Sequence, residues 1–169
     1  LSSPFHVVGI GNGMAVAGAF ATRYGQLRQY RHSLRSVVSI NGFTTPDAQL
    51  SAILHSSVNV FETLPDARPD LPVSYFSKFL FSDGYLGRVH PNLALNIYTA
   101  VSNPITLDGR LRLCRGALLN RSLGGGLARL GVPVVCLQST EDVLIAPSNV
   151  DHRLEGRAVN HVWSHQLRP

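Results

Sequence analysis

A glycine-dense turn near the start of the chain is the first place where chemistry is expected. The apolar run Phe5–Ile10 leads into Gly9-Ile10-Gly11-Asn12-Gly13, and a helical pattern follows at once. A strand, a tight turn and a helix in this order present a ligand or a nucleophile at the carboxyl end of the strand. The central residue of the turn is Gly11, which has no side chain that could react.

A carboxylate and two imidazoles are the other candidates for chemistry. Asp142 follows the apolar run 132–138, and His161 and His165 lie close to the end of the sequence. A carboxylate and a histidine together can activate water as a general base, without a serine nucleophile. The choice of histidine is left open between these two positions.

The glycine turn also invites comparison with a dinucleotide-binding loop. Such a loop needs Gly-x-Gly-x-x-Gly after a strand, and here the third glycine position is Met14. No acidic residue ends the next predicted strand, which finishes at Asn41. These departures disfavour a nucleotide cofactor. Binding of an anion at the start of the helix, over Gly11–Gly13, is kept as a weaker alternative.

The spacing of apolar residues predicts an α/β fold with a parallel sheet of about three to four strands. Strands are predicted at 5–10, 36–41 and 132–138, with a helix over 12–24. A strand, a helix and a strand within about 40 residues form a βαβ unit, whose strands run parallel. A short helix over 147–153 and a last strand over 157–163 complete the prediction.

Helical patterns fill the middle of the chain, so we predict a helical cap at 46–131 inserted into a core made of 1–45 and 132–169. Helices are predicted at 46–61 and 71–81, and another begins at His90-Pro91-Asn92. A fourth helix follows the capping residue Thr106. Its inward face is predicted to carry Leu111, Cys114, Leu118 and Leu119.

Composition bounds the class of protein. The chain has 169 residues, of which 44% are hydrophobic and 15% charged, as expected for a folded globular chain. The net charge is +5, but the basic residues are scattered, so a nucleic-acid partner is disfavoured and an anionic partner stays an alternative. Cys114 and Cys136 lack metal-binding spacing and are predicted to be buried thiols. We expect no cofactor and no metal.

No apolar run is long enough to span a membrane, and the start of the sequence shows no signal-peptide pattern. We therefore expect no membrane association and a cytoplasmic location.

Two segments resemble the α/β-hydrolase superfamily. HVVGIGNGMAVAGAFATRY is similar to the turn that carries the nucleophile, and VPVVCLQSTEDVLIAPSNVD is similar to the segment that carries the catalytic acid. The resemblance implies an elbow formed by Gly9, Gly11, Asn12 and Gly13. It places Gly11 where the family has its serine, Asp142 at the acid position, and His165, or His161 as the alternative, at the histidine position.

The resemblance covers only the second half of such a fold. The first four strands of the family, with its usual oxyanion-hole segment, would precede Leu1. Without them, the strand at Phe5–Ile10 is a sheet edge with unpaired backbone groups. We therefore expect this strand to be covered by a protein partner or by a preceding half of the same chain.

Among the superfamily, the chain is most similar in layout to the non-catalytic NDRG family, which also has a glycine-rich elbow without serine. The resemblance implies a pseudoenzyme, in which the domain binds or scaffolds other proteins. The alternative hypothesis is a residual, esterase-like hydrolase that uses Asp142 and a histidine without a serine.

Overall fold

The computed structural model describes residues 3–25, 27, 30, 32–68, 70–88, 92, 105–121, 123 and 125–146. The backbone divides into two compact units. The first unit comprises Leu1–Pro46, Asn120–Thr140 and Ile145–Pro169, and the second comprises Asp47–Leu119 and Glu141–Leu144. The predicted helix over 147–153 and the predicted strand over 157–163 lie outside the described residues.

The first unit is built on a parallel sheet. Its strands are β1 (Phe5–Ile10), β2 (Leu34–Ile40) and β3 (Val134–Leu137), in the order β1-β2-β3, and helix α1 (Gly13–Tyr24) connects β1 to β2. Both strand pairs are parallel. The predicted α/β fold with a parallel sheet is therefore confirmed.

One face of this sheet carries the core of the first unit. Met14, Ala17 and Ala21 recur along α1 at the spacing of one helix face, and all three are buried. They pack with side chains from all three strands and from the 3₁₀ turn Leu127–Arg129. The remaining buried members of this core are Leu34, Val37, Leu127, Val134 and Cys136.

The second strand begins two residues earlier than predicted. Leu34 pairs with Phe5, whereas His6 already pairs with Ser36, so Arg35 is an extra residue in the ladder. The amide of Phe5 donates to the carbonyl of Ser33 (2.8 Å) and extends the pairing further back. Pairing with β1 thus brings Leu34 and Arg35 into the strand, although the sequence just before them is mostly polar.

The described elements of the second unit are helices. They are α2 (Ala48–Glu62), α3 (Asp70–Leu80), α4 (Asp83–Leu86) and α5 (Leu107–Leu118). The helix starts follow the sequence, because Asp47 accepts from the Leu50 amide (2.7 Å) and Thr106 from the Gly109 amide (3.1 Å). Helices α2 and α5 pack against each other. The boundaries of a cap at 46 and 131 stay a prediction, and apart from Asn92 the helix predicted to start at His90 lies outside the described residues.

Aromatic rings pack against the far end of α2. Phe61 is fully buried and contacts Tyr75 edge to face, with ring centroids 5.7 Å apart. Its ring also lies 5.4 Å from that of Phe76. Edge-to-face pairs of this kind add to the stabilisation from burial alone. The second unit thus has an aromatic core of its own.

Gly9 allows α1 to approach β1 closely. A Cβ atom at Gly9 would lie 2.5 Å from Met14 Cα and 2.8 Å from Met14 N, both of them backbone atoms. Neither can yield without a shift of the whole helix. Gly13, at the first turn of the same helix, has open space at its Cβ position.

We predict that Gly9→Ala lowers the free energy of unfolding by about 3 kcal/mol, because overpacking against a backbone cannot be relieved by a rotamer change. Gly13→Ala is the matched control. It is expected to be neutral or to stabilise the protein by about 0.5 kcal/mol, because alanine has a higher helix propensity than glycine. Urea denaturation followed by circular dichroism measures both. Equal effects of the two substitutions would contradict the close approach at Gly9.

Candidate functional site

The turn after β1 holds Gly11 in a left-handed conformation. Its φ angle is +54°, a region that L side chains rarely adopt. The Gly11 amide donates to the Ile40 carbonyl (3.0 Å), and the Gly11 carbonyl accepts from the Met14 amide (3.1 Å). The turn therefore bends sharply from the strand into the helix. A Cβ atom at Gly11 would meet nothing within 4 Å.

The end of β2 makes a second left-handed turn. Asn41 has a φ angle of +44°, and it is the only described residue other than glycine with a positive φ. Its amide donates to the Leu137 carbonyl (2.8 Å), and its side-chain Oδ1 accepts from the Ser139 amide (2.8 Å). Asparagine is the side chain best suited to such a turn, because it tolerates the conformation and can bond to nearby backbone.

These bonds join the carboxyl ends of all three strands at one edge of the sheet. Gly11 is tied to β2, and Asn41 is tied both to the last residue of β3 and to the loop that follows it. The carboxyl edge is where ligands bind in parallel α/β sheets. Ser139, whose side chain is exposed, lies at this edge, and the sequence did not single it out as a site residue.

Asn12 uses its side chain to anchor the turn. Its Oδ1 accepts from Asn120 Nδ2 (2.7 Å), and the side chain makes no capping bond to the start of α1. Asn120 follows α5 in the sequence and belongs to the first unit. Nothing in the local sequence around Asn120 indicates this contact, which joins positions 108 residues apart.

The predicted acid lies in the loop after β3. Asp142 Oδ1 accepts from the Leu144 amide (2.9 Å), so the carboxylate stabilises its own turn, and the residue belongs to the second unit. His161 and His165 lie outside the described residues. The structure thus brings the elbow residues together with Asn41 and Asn120. The assignment of Asp142 and a histidine to one catalytic group stays a prediction.

Both cysteines are buried thiols without a disulfide bond, as predicted. Cys114 lies on the buried face of α5, and its burial raises the thiol pKa to about 11, partly opposed by the positive charge of Arg110. Within the described part of the chain, no three His, Cys, Asp or Glu side chains are grouped so that they could hold a metal ion. Among the described helices, none is both long and apolar enough to cross a membrane.

Comparison with solved structures decides the fold. An α/β hydrolase enzyme, MGS-M2, from a Medee basin deep-sea metagenome library is matched over 91% of this chain, with a TM-score of 0.65 and 19% identity. The chain has an α/β-hydrolase fold. A thermophilic esterase from Thermogutta terrifontis gives a TM-score of 0.64 at 18% identity over 89% of this chain. An acetylester hydrolase from Corynebacterium glutamicum gives 0.71 at 10% identity over 90%.

The match to the α/β-hydrolase fold is partial. This chain covers 55%, 52% and 50% of those three structures, so it spans about half their length. No protein-family model matches the sequence, and no curated protein does. Because the sequence identities are below 20%, these similarities establish the fold of the chain but not its activity. The resemblance to the NDRG family and the absence of catalysis therefore stay predictions.

We predict that Asn41→Ala lowers the free energy of unfolding by about 2 kcal/mol. The substitution removes the hydrogen bond to the Ser139 amide, and alanine has no side-chain hydrogen bond that would offset the cost of its Cβ atom at a positive φ angle. Asn41→Gly removes the same bond but suits the backbone angle, so its cost is expected to be about 1 kcal/mol. Chemical denaturation of both variants measures the difference. A larger loss for glycine than for alanine would argue against the left-handed turn.

The thiol of Cys114 is expected to react with iodoacetamide only slowly at pH 8, since the thiolate is the reactive form and its pKa is raised to about 11. Because the raised pKa means that the folded state holds this proton more tightly than the unfolded state does, the protonated thiol stabilises the fold. This contribution to the free energy of unfolding is complete below the pKa of the unfolded thiol, and it is lost as the pH rises toward 11. Mass spectrometry of alkylated peptides across pH 8–11 follows the rate, and Cys114→Ser is the control for site assignment.

Proposed function

We propose that this chain is a catalytically inactive α/β-hydrolase-like domain that acts as a protein-binding or scaffolding module. The observation that carries the proposal is Gly11. It lies at the tip of the turn between β1 and α1, where the resemblance to the superfamily requires serine, and it has no atom that could form an acyl-enzyme.

The surroundings of Gly11 support loss of the nucleophile without loss of the turn. Gly9 still permits the close approach of α1, and Gly11 keeps the left-handed backbone. A residue with a side chain pays about 1–2 kcal/mol for that conformation, and glycine avoids most of this cost. The described turn is thus consistent with a fold that gained stability where it gave up chemistry.

The neighbouring side chains offer no ready substitute. The amide of Asn12 is a poor nucleophile, and its oxygen is engaged with Asn120. The thiols of Cys114 and Cys136 are buried. Ser139 has an exposed side chain at the same edge, so its hydroxyl is tested separately in the ester assay.

A protein-binding role is supported by the exposed apolar side chains of the first unit. Val8 and Ile10 on β1 are 53% and 67% exposed, although both belong to a strand of a parallel sheet. Parallel sheets are ordinarily covered on both faces. Exposed aliphatic side chains in such a position are typical of surfaces that bind another polypeptide.

The esterase and acetylester hydrolase among the similar structures suggest short acyl esters as the test substrates. We expect the full chain to release p-nitrophenol from p-nitrophenyl acetate and butyrate no faster than buffer does, with no initial burst. Asp142→Ala and Ser139→Ala should give the same result as the unsubstituted chain. Circular dichroism of each variant establishes that it is folded.

Turnover by the unsubstituted chain that is lost in Asp142→Ala would refute the proposal and favour a hydrolase that works without serine. Turnover lost in Ser139→Ala alone would assign the nucleophile to the end of β3 instead. An active esterase assayed in parallel sets the sensitivity of the measurement.

A further inference from the structure

Two asparagines at the carboxyl edge of the sheet are each followed by glycine. Asn12-Gly13 lies at the start of α1, and Asn41-Gly42 directly follows β2. An asparagine in this setting can lose its side-chain amide without an enzyme, because the next backbone nitrogen can attack the side-chain carbonyl carbon. A following glycine favours the attack, since it has no Cβ atom in the way and its backbone adopts many conformations. By sequence alone, the two sites are equivalent.

The side-chain oxygen of each asparagine accepts a hydrogen bond. Asn12 Oδ1 accepts from Asn120 Nδ2 (2.7 Å), and Asn41 Oδ1 accepts from the Ser139 amide (2.8 Å). This oxygen gains negative charge when the carbonyl carbon is attacked, so a donor directed at it stabilises the tetrahedral intermediate. Both asparagines have such a donor. The two sites differ instead in the space around the glycine that follows.

The glycine after Asn41 is tightly packed. Gly42 is buried, and a Cβ atom there would lie 2.3 Å from Ser39 Oγ and 2.6 Å from Met14 Cβ. The Asn41 amide is also bonded to the Leu137 carbonyl (2.8 Å), which holds the preceding peptide. Attack requires the Gly42 nitrogen to rotate toward the Asn41 side chain. In a close-packed interior, that rotation requires the neighbouring groups to shift.

The glycine after Asn12 has room to move. Gly13 is exposed and has open space at its Cβ position. Its amide belongs to the first turn of α1, where an N–H group has no acceptor within the helix. Helix ends fray at little cost in free energy. The Gly13 nitrogen can therefore reach the Asn12 side chain while the sheet stays folded.

We propose that Asn12 is a site of spontaneous deamidation and that the packing of Gly42 protects Asn41 from the same reaction. The Gly13 nitrogen forms a bond to Asn12 Cγ, the bond from Cγ to Nδ2 breaks, and ammonia leaves with the proton of the Gly13 nitrogen. Water then opens the resulting cyclic imide. Addition of water at the side-chain carbonyl gives aspartate, and addition at the backbone carbonyl gives isoaspartate.

The reaction changes the charge of the turn. Either product places a carboxylate next to Gly11, at the positive end of the α1 dipole, where negative charge is favourable. Aspartate is as good an N-cap residue as asparagine. Its two oxygens can keep the bond from Asn120 and also accept from the start of α1, which Asn12 does not do. Formation of aspartate therefore does not oppose the fold, and it requires neither protein binding nor ester turnover.

The experiment follows both asparagines in the full chain, folded and in guanidinium chloride, during incubation in mildly alkaline buffer. Arg23 and Arg35 lie between the two sites, so trypsin places Asn12 and Asn41 in different peptides. Mass spectrometry measures the change from amide to acid in each peptide over time. We expect similar rates in the unfolded chain, because each asparagine precedes a glycine. In the folded chain we expect Asn12 to react about tenfold or more faster than Asn41.

Gly13→Ala is the matched variant, because it keeps Asn12 and adds a Cβ atom beside the attacking nitrogen. It should slow deamidation at Asn12 by about tenfold and leave the rate at Asn41 unchanged. Asn12→Asp reproduces one product, and its melting temperature should equal or exceed that of the unsubstituted chain. Circular dichroism establishes that both variants are folded.

The proposal is overturned if Asn12 stays unmodified in the folded chain while the unfolded chain reacts at both sites. It is also overturned if Asn41 reacts as fast as Asn12 in the folded chain. A rate at Asn12 that Gly13→Ala leaves unchanged would refute attack by the Gly13 nitrogen. Ester turnover would refute the proposed inactivity without altering these rates, so the two failures can be told apart.

Discussion

The contact of α1 with β1 at Gly9 is the constraint on which the rest of the first unit depends. Because Gly9 has no Cβ, the backbone of Met14 can lie directly on the strand. The chain must then reverse direction within the two residues Gly11 and Asn12, and the left-handed angle of Gly11 achieves this. With α1 set at this distance, Met14, Ala17 and Ala21 reach the sheet and close the core.

Hydrogen bonds outside the strand ladder hold the carboxyl edge of the sheet. A sharp turn at the end of a strand leaves backbone groups that the ladder no longer pairs, and these groups need other partners. The Gly11 amide finds the Ile40 carbonyl, and the Ser139 amide finds the side chain of Asn41. Hydrogen bonds within the protein therefore hold this edge in place without a ligand.

Local sequence predicted the elements whose signals are local. The period of Met14, Ala17 and Ala21 gave α1, and Asp47 and Thr106 marked the starts of α2 and α5 through their capping bonds. The glycine turn and the order of strand, helix and strand were enough to predict a parallel α/β sheet, and the similar structures confirm the fold.

Where the sequence analysis failed, a long-range contact or the end of a helix was the cause. Leu119 was expected on the inward face of its helix, but it caps the end of α5 and is 75% exposed. The buried position two residues earlier belongs instead to Ala117, and Arg110 is buried at the other end of the same face. The bond from Asn120 to Asn12 joins residues far apart in sequence, and hydrophobic periodicity carries no information about such a pair.

The open space around Gly11 means that the backbone angle alone limits which residue this position can hold. No neighbouring atom lies within 4 Å of the point where a side chain would begin. Serine and glycine codons can differ by a single base, and a serine here would cost only the backbone preference of about 1–2 kcal/mol. A change of one base can therefore place a hydroxyl at the tip of this turn without rearranging its neighbours.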